Sequence, residues 1–430
     1  MNRLIALAIV VLALGTGVAT AQAADAAPPA GACADPAPAR PVITQQPWAQ
    51  QVLDPRRVWP YSTGAGVLVA VVDSGVDADH PQLSAPGKVL PGRDFFLVGD
   101  LPGNFDCVSH GTAVASIIAA NPAPGIGFAG IAPGARILPV AVTDQDLTDS
   151  GQSVGIDPNV VAEGIRYAAD RGAKVINLSL AGPTDFPQIR SAVADAERRD
   201  ALIVAAVGNG QERSPGAPSF PAAYPGVLGV GAIGISGALD QNSQVGAFVD
   251  LVAPGAGVVG ASRVAGHAFW NGTSLAAAFV SGTAALVRAA WPDLTAPQVA
   301  QRLMATASVA RGGAHSQQYG AGIVNPYRAV TEGLSGTPRA MAPLATPAVN
   351  QTALRELHWW QRMSLLAKLA AGAVVLAIML AAIMAVTLPR ARRRRWRPSV
   401  AVLPPTEQPR QEPPEQLFLF PRPAMERSDD

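Results

Sequence analysis

Between Arg56 and Val330 the chain alternates short apolar runs with amphipathic stretches. The run Val67-Leu-Val-Ala-Val-Val72 closes on Asp73 and reads as a strand buried on both faces, because neither face alternates with polar residues. Similar runs occupy residues 137–142, 174–180, 202–207, 227–233 and 249–252. Apolar positions at helical spacing fall between or after them, over residues 112–120, 160–169, 189–198, 275–290 and 297–307. Strand and helix in repeated alternation predict an α/β fold with a mainly parallel sheet as the middle of three layers. Ligands in such sheets gather at the carboxyl ends of the strands, so polar residues placed there are the candidates for chemistry.

Two apolar stretches lie outside this alternation. Residues 4–18 carry no charge, follow Arg3 and precede Ala21-Gln22-Ala23. That order describes a secretory signal peptide, residues 1–23, cut near Ala23; an uncleaved anchor helix is the alternative, and either one exports the domain behind it. Residues 369–388 are also free of charge, and at about 1.5 Å per residue they cross a hydrocarbon core of ~30 Å. Trp359, Trp360 and Lys368 precede this stretch, and Arg390, Arg392, Arg393, Arg394, Arg395 and Arg397 come after it. A buried core helix has no use for such an arginine cluster, whereas the positive-inside rule keeps it in the cytoplasm. The chain therefore divides into a signal peptide (1–23), an N-terminal extension (24–55), a globular domain (56–330) and a Pro/Ala-rich linker (331–364). A C-terminal transmembrane helix (365–388) and a basic, Pro-rich cytoplasmic tail (389–430) complete it.

Composition narrows the function. Of 430 residues 15% are charged and 49% hydrophobic, which excludes disorder throughout. The 32 basic and 31 acidic residues leave no chain-wide footprint for nucleic acid, and the arginine run is explained by topology. Two cysteines are too few for a disulfide scaffold or a four-thiolate metal site. Both fall on the exported side, where thiols oxidise. A Cys33–Cys107 disulfide is expected, closing a loop of 74 residues; two free thiols, or a lipid on Cys33, are the alternatives. No acidic cluster has calcium-loop spacing. Asp144, Asp146 and Asp149 read as a solvated loop, and His80, His267, His315 and His358 lack the neighbours of a zinc site. No metal and no cofactor are expected.

Three residues stand out only in combination. Asp73 ends the first strand, His110 opens a helix in Ser109-His110-Gly111-Thr112, and Ser274 starts a helix in Asn271-Gly272-Thr273-Ser274. Singly they read as a turn residue, a structural histidine and an N-cap. Together they supply a hydroxyl nucleophile, an imidazole to take its proton and a carboxylate to orient the imidazole. A helix N-terminus at Ser274 aims backbone N–H groups at a developing oxyanion. Asn209, in the Gly208-Asn209-Gly210 loop, offers a second donor, although Asn-Gly alone is a common turn.

The order Asp, His, Ser is one of the known triad orders. Residues 66–329 resemble the subtilisin-like serine proteases. The matching segments are Val69-Ala-Val-Val-Asp-Ser-Gly-Val76, His110-Gly-Thr-Ala-Val-Ala115, Asn177-Leu-Ser-Leu180, Ala205-Ala-Val-Gly-Asn209, Phe220-Pro221 and Asn271-Gly-Thr-Ser274. The resemblance implies a subtilisin-like fold, an oxyanion-hole role for Asn209, and an edge strand at Ser179, Leu180, Ala181 and Gly182 that pairs with an extended protein or peptide substrate. The wider layout resembles the mycosins, membrane-anchored proteases associated with type VII secretion, and the two cysteines fit their pattern. It implies a single-pass protein of the cytoplasmic membrane with its protease domain outside, cleaving exported proteins beside a type VII secretion complex. The alternative is a structural component of such a complex whose proteolysis is secondary.

Three departures from the family pattern carry expectations. Residues 24–55 are too few for a folding prodomain and read as an extended arm wrapping the domain. Ala278 stands where the family has proline, which favours a straight helix. Ala181 replaces a glycine of the substrate strand, where a methyl group would crowd the cleft.

Overall fold

β1 (Leu68–Asp73) divides the interior: Val69 and Val71 pack into one hydrophobic cluster, Ala70 and Val72 into another on the opposite face. The computed structural model describes residues 32–33, 36–97, 100–144, 157–311, 313 and 315–334, with six further helical positions between Met363 and Met384. The chain forms two compact units, Met1–Met341 and Ala342–Asp430.

In the first unit, β2 (Arg93–Asp94), β3 (Arg136–Ala141), β4 (Val175–Leu178), β5 (Leu202–Ala206), β6 (Val227–Ile233) and β7 (Leu251–Pro254) join β1 in one sheet. Its order is β2-β3-β1-β4-β5-β6-β7 and the mapped pairs are all parallel. From β1 the chain moves outward to β2 and β3, then returns to place β4 on the other side of β1. The strand order thus reverses at β1, where a crevice opens at the carboxyl ends.

Helices cover both faces. On one lie α3 (His110–Ala119), α6 (Thr273–Ala290) and α7 (Ala296–Ala305); on the other, α4 (Pro158–Asp170) and α5 (Pro187–Arg198). The fold is a three-layer α/β sandwich with a parallel sheet in the middle, as the periodicity implied. Short elements escaped the sequence pattern: β2, α1 (Trp48–Leu53), α2 (Pro55–Val58), α8 (Pro326–Thr331) and a ribbon of β8 (Val258–Ala261) with β9 (His267–Trp270). Gly260 in β8 weakens a strand signature. It is needed because a Cβ there would meet the Ala113 Cβ of α3 at 2.8 Å.

α6 runs unbroken through the buried Ala278. Among the described residues it is the helix long and apolar enough to cross a membrane, but 89% of it is buried inside the domain, so it is a core helix. The expected span 365–388 lies outside the described residues except for Lys368, Gly372, Met379, Leu380 and Met384, all helical. The signal peptide and tail lie outside them entirely.

The N-terminal arm is fastened along its length. A disulfide joins Cys33 to Cys107, with Cα atoms 5.4 Å apart. Backbone N–H groups of Ala37, Arg40 and His267 donate to Cys107, Ala265 and Pro41 at 2.8, 2.9 and 3.0 Å. The Trp48 indole N–H reaches the Gly257 carbonyl at 2.9 Å. The segment is not extended throughout: α1 delivers Ala49 and Leu53 to the main core, so the expected boundary at residue 55 runs through packed structure.

His267 carries one of these fastenings. The Ile43 N–H donates to its Nδ1 at 3.2 Å, and its Nε2 faces the Gln82 Oε1 at 2.7 Å. An imidazole accepting at Nδ1 and donating at Nε2 is neutral. Burial, helped by the neighbouring His80, lowers its pKa from 6.5 to about 4. Unfolded chains therefore bind the extra proton first, and stability is lost as pH falls from about 6.5 towards 4. We expect His267 to contribute about 2 kcal/mol of loss across that window. Denaturant unfolding reads it as the difference in pH dependence between wild type and His267→Gln, in which the opposing Asp106 and the parallel His80 contributions are common to both.

Candidate active site

Three elements end or begin at one crevice. β1 delivers Asp73 at its last residue, α3 presents His110 as its first, and α6 carries Ser274 as its second. Ser274 is not the N-cap that its position alone suggests: that place is taken by Gly272, with φ 143°. The Nδ1–H of His110 donates to Asp73 Oδ1 at 2.7 Å. On the other side of the ring, Nε2 is 3.0 Å from Ser274 Oγ and accepts its proton. Asp73 and His110 are fully buried and Ser274 is 4% exposed. The second carboxylate oxygen of Asp73 is buried without a partner among the described residues. A buried carboxylate so placed gains most when the imidazole becomes cationic.

Gly111 makes this approach possible. A Cβ there would strike the Gly75 carbonyl oxygen at 2.0 Å and lie 3.2 Å from the Asp73 Cβ. Any side chain would push α3 off β1 and pull the histidine from its carboxylate.

A second carboxylate, not singled out by the sequence pattern, braces the first turn of α3. Asp106 is 1% exposed. Its Oδ1 accepts from the Ser74 hydroxyl and the N–H groups of Val108 and Ser109, its Oδ2 from the Thr112 N–H and hydroxyl. Ser74 in turn accepts from the Gly111 N–H at 2.9 Å, and its own N–H donates to Asp73 at 2.7 Å. Burial pushes the Asp106 carboxyl up to about 6 against the pull of Thr112. Its place four residues ahead of His110 is the one sequence signal that could have found it.

Asn209 lies beyond β5. Its Oδ1 accepts from the Thr273 N–H at 2.9 Å and from the Thr273 hydroxyl at 3.0 Å, so the amide is held with Nδ2 free to donate elsewhere. A Cβ on Gly272 would sit 3.1 Å from that Nδ2 and 3.3 Å from Ser274 Oγ. The two atoms flank one small space, which glycine leaves empty. An oxyanion formed there would meet the Asn209 amide and the N-terminal N–H groups of α6. Asn209→Ala is expected to lower kcat about 10²- to 10³-fold with little change in KM, read from steady-state peptide hydrolysis.

Residues 179–182 continue from β4 without joining the sheet. Gly182 exchanges two backbone hydrogen bonds with Phe220, at 2.9 and 2.8 Å. Ser179 is buried, and its Oγ accepts from Asn177, which accepts from Ser281 of α6; its side chain is a structural tie. Leu180 is half-buried and Ala181 exposed. The Ala181 methyl leans towards the Asn209 loop, 3.2 Å from where a Cβ on Gly208 would lie. Trp270 stands edge-on to the His110 ring with centroids 6.0 Å apart. Among the described residues no three His, Cys, Asp or Glu side chains gather as a metal site; Asp146, Asp149 and His358 lie outside the described residues.

Residues 64–322 match the family described as the subtilase family, Peptidase S8. Subtilisin NAT from Bacillus subtilis subsp. natto is 36% identical over 264 residues, 61% of this chain; the chain spans 65% of that relative's length. Mycosin-1 from Mycobacterium tuberculosis is 36% identical over 334 residues, covering 66% of this chain and 73% of mycosin-1. Among solved structures, MycP1 with its N-terminal propeptide removed superposes with a TM-score of 0.60 at 34% identity, over 68% of this chain and 99% of that one. MycP3 protease from the type VII (ESX-3) secretion system gives 0.58 at 33%, over 70% and 95%.

Proposed function

The chain belongs to the subtilase family, and we propose that it is a membrane-anchored serine endopeptidase cleaving exported proteins outside the cytoplasmic membrane, in association with type VII secretion. Subtilases are serine endopeptidases with an Asp/His/Ser triad. The observation that carries the reading here is the unbroken contact from Asp73 through His110 to Ser274, at 2.7 and 3.0 Å.

Ser274 Oγ attacks the scissile carbonyl as His110 Nε2 takes its proton. Asp73 holds the imidazole in the tautomer that leaves Nε2 free and stabilises the cation. Negative charge developing on the carbonyl oxygen meets the Asn209 amide and the Ser274 N–H. His110 then gives its proton to the leaving amine, and water repeats the sequence on the acyl-enzyme. Residues Ser179, Leu180 and Ala181 line up the acyl side of the substrate as an added strand. Gly182, expected to join them, has its own N–H and carbonyl committed to Phe220 and anchors the segment instead. The Ala181 methyl selects against bulk there.

The secretion role is supported by MycP1, described as an essential component of the type VII (ESX-1) secretion system, which is 32% identical to this chain over 69% of it. The charge-free stretch at 369–388 with arginines behind it supports the anchor. Expressing Ser274→Ala in cells lacking the protein tests the assignment. Loss of cleaved exported proteins with the variant is expected. Full restoration of both secretion and cleavage would overturn it, whereas secretion restored without cleavage favours the structural reading.

A further inference from the structure

A cavity of about 280 Å³ opens beside the catalytic histidine. One wall comes from the domain: Ser109, next to His110, and Phe269, Trp270 and Asn271, just ahead of Ser274. The other comes from the N-terminal arm, with Ala37, Pro38 and Arg40. Residues 179–182 do not line this cavity; Ala181 lies beside the Asn209 loop.

Chemistry orients the substrate between these two places. The imidazole that takes the serine proton must hand it to the leaving amine, so the chain after the scissile bond passes the side of His110 where Trp270 stands. That is the cavity. Its occupant is therefore the leaving-group segment of the substrate.

The arm wall is rigid enough to select. Besides the disulfide, the guanidinium of Arg263 donates to the carbonyls of Asp106 and Ala37, both at 2.8 Å, clamping the arm to the domain. The Arg40 N–H donates to Ala265 at 2.9 Å. Packing is close: a Cβ on Gly266 would meet the Arg40 carbonyl oxygen at 1.6 Å. The Arg40 backbone is thus fixed while its side chain is exposed and has no acidic partner among the described residues. Among the described residues, two buried acids of the adjoining segments are committed elsewhere: Asp106 to five donors, Asp77 to the N–H groups of Asp79 and Val264. Phe269, 72% exposed, offers an apolar surface on the facing wall.

We infer that the arm builds half of the leaving-group side of the cleft, and that Arg40 selects substrates with an acidic side chain shortly after the scissile bond, next to an apolar one resting on Phe269. This rests on the endopeptidase reading.

A peptide library randomised over the four positions after a fixed cleavage site tests it, with wild type, Arg40→Gln and Arg40→Glu compared by kcat/KM. Wild type is expected to prefer Asp or Glu over Lys, and Arg40→Glu to shift that ratio about tenfold towards Lys. Preference before the bond and thermal unfolding should stay unchanged. An acid-to-lysine ratio that does not move in Arg40→Glu overturns the inference. Binding of the same acidic and basic peptides to Ser274→Ala, with and without Arg40→Glu, reads the charge preference without turnover. A wild type that cleaves nothing while Ser274→Ala still prefers acidic peptides would therefore sink the activity and leave the arm's role standing; equal binding of both peptide types would sink the arm's role by itself.

Discussion

Replacing Ser274 by alanine is expected to lower kcat by about 10⁴-fold or more while leaving KM and the melting temperature close to wild type. The hydroxyl is the atom that forms the acyl bond, so no neighbouring group can stand in for it. Its loss should cost the fold little. Ser274 Oγ contacts His110, and the helix end does not depend on it because Gly272 occupies the N-cap. The activity left after the substitution is the rate supplied by binding and by the oxyanion donors alone. Adding His110→Ala to Ser274→Ala should then lose little more, since the imidazole has no proton left to take. Steady-state and single-turnover hydrolysis of one peptide, with unfolding curves for each variant, check both statements. Near-normal turnover in the single variant would remove Ser274 from the mechanism.

Deleting residues 24–55 should be the most damaging change to stability. The Cys33–Cys107 cross-link closes a long loop and contributes on the order of 4 kcal/mol by loop-closure entropy. Burial of the Leu53 side chain, 5% exposed, adds about 2 kcal/mol more. Domains of ordinary size keep only about 5–15 kcal/mol in total, so the truncated protein is expected to unfold near physiological temperature. Cys33→Ser isolates the covalent part, because it leaves α1 packed. Turnover per folded molecule should not rise in either variant. A marked gain would mean that the arm restrains the enzyme rather than supporting it.

The features legible in the sequence were those set by periodicity and by residue chemistry. The β-branched run before Asp73 could only be a strand covered on both faces, and the acid, imidazole and hydroxyl acquired meaning as a set. Asp106 was hidden because a lone aspartate ahead of a helix looks like any turn residue. Only the fold brings Ser74 and Thr112 onto it. The ribbon β8–β9 was hidden because Gly260, required by its closeness to α3, imitates a loop. α1 was hidden because a single turn and a half carries too little pattern. Ala181 reads in the sequence as a crowding group, and the structure adds where its methyl leans: on the loop that carries Asn209.

α6 joins two duties in one rod. It begins with the nucleophile, and along its buried length it packs against α3 and five strands of the sheet, β1 and β4 to β7. Anything that loosens its far end, near Val287 and Arg288, tilts the reacting oxygen away from its base. Heat or denaturant should therefore extinguish catalysis and cooperative structure at the same midpoint, so that residual hydrolysis serves as a direct gauge of how much intact enzyme a preparation still holds.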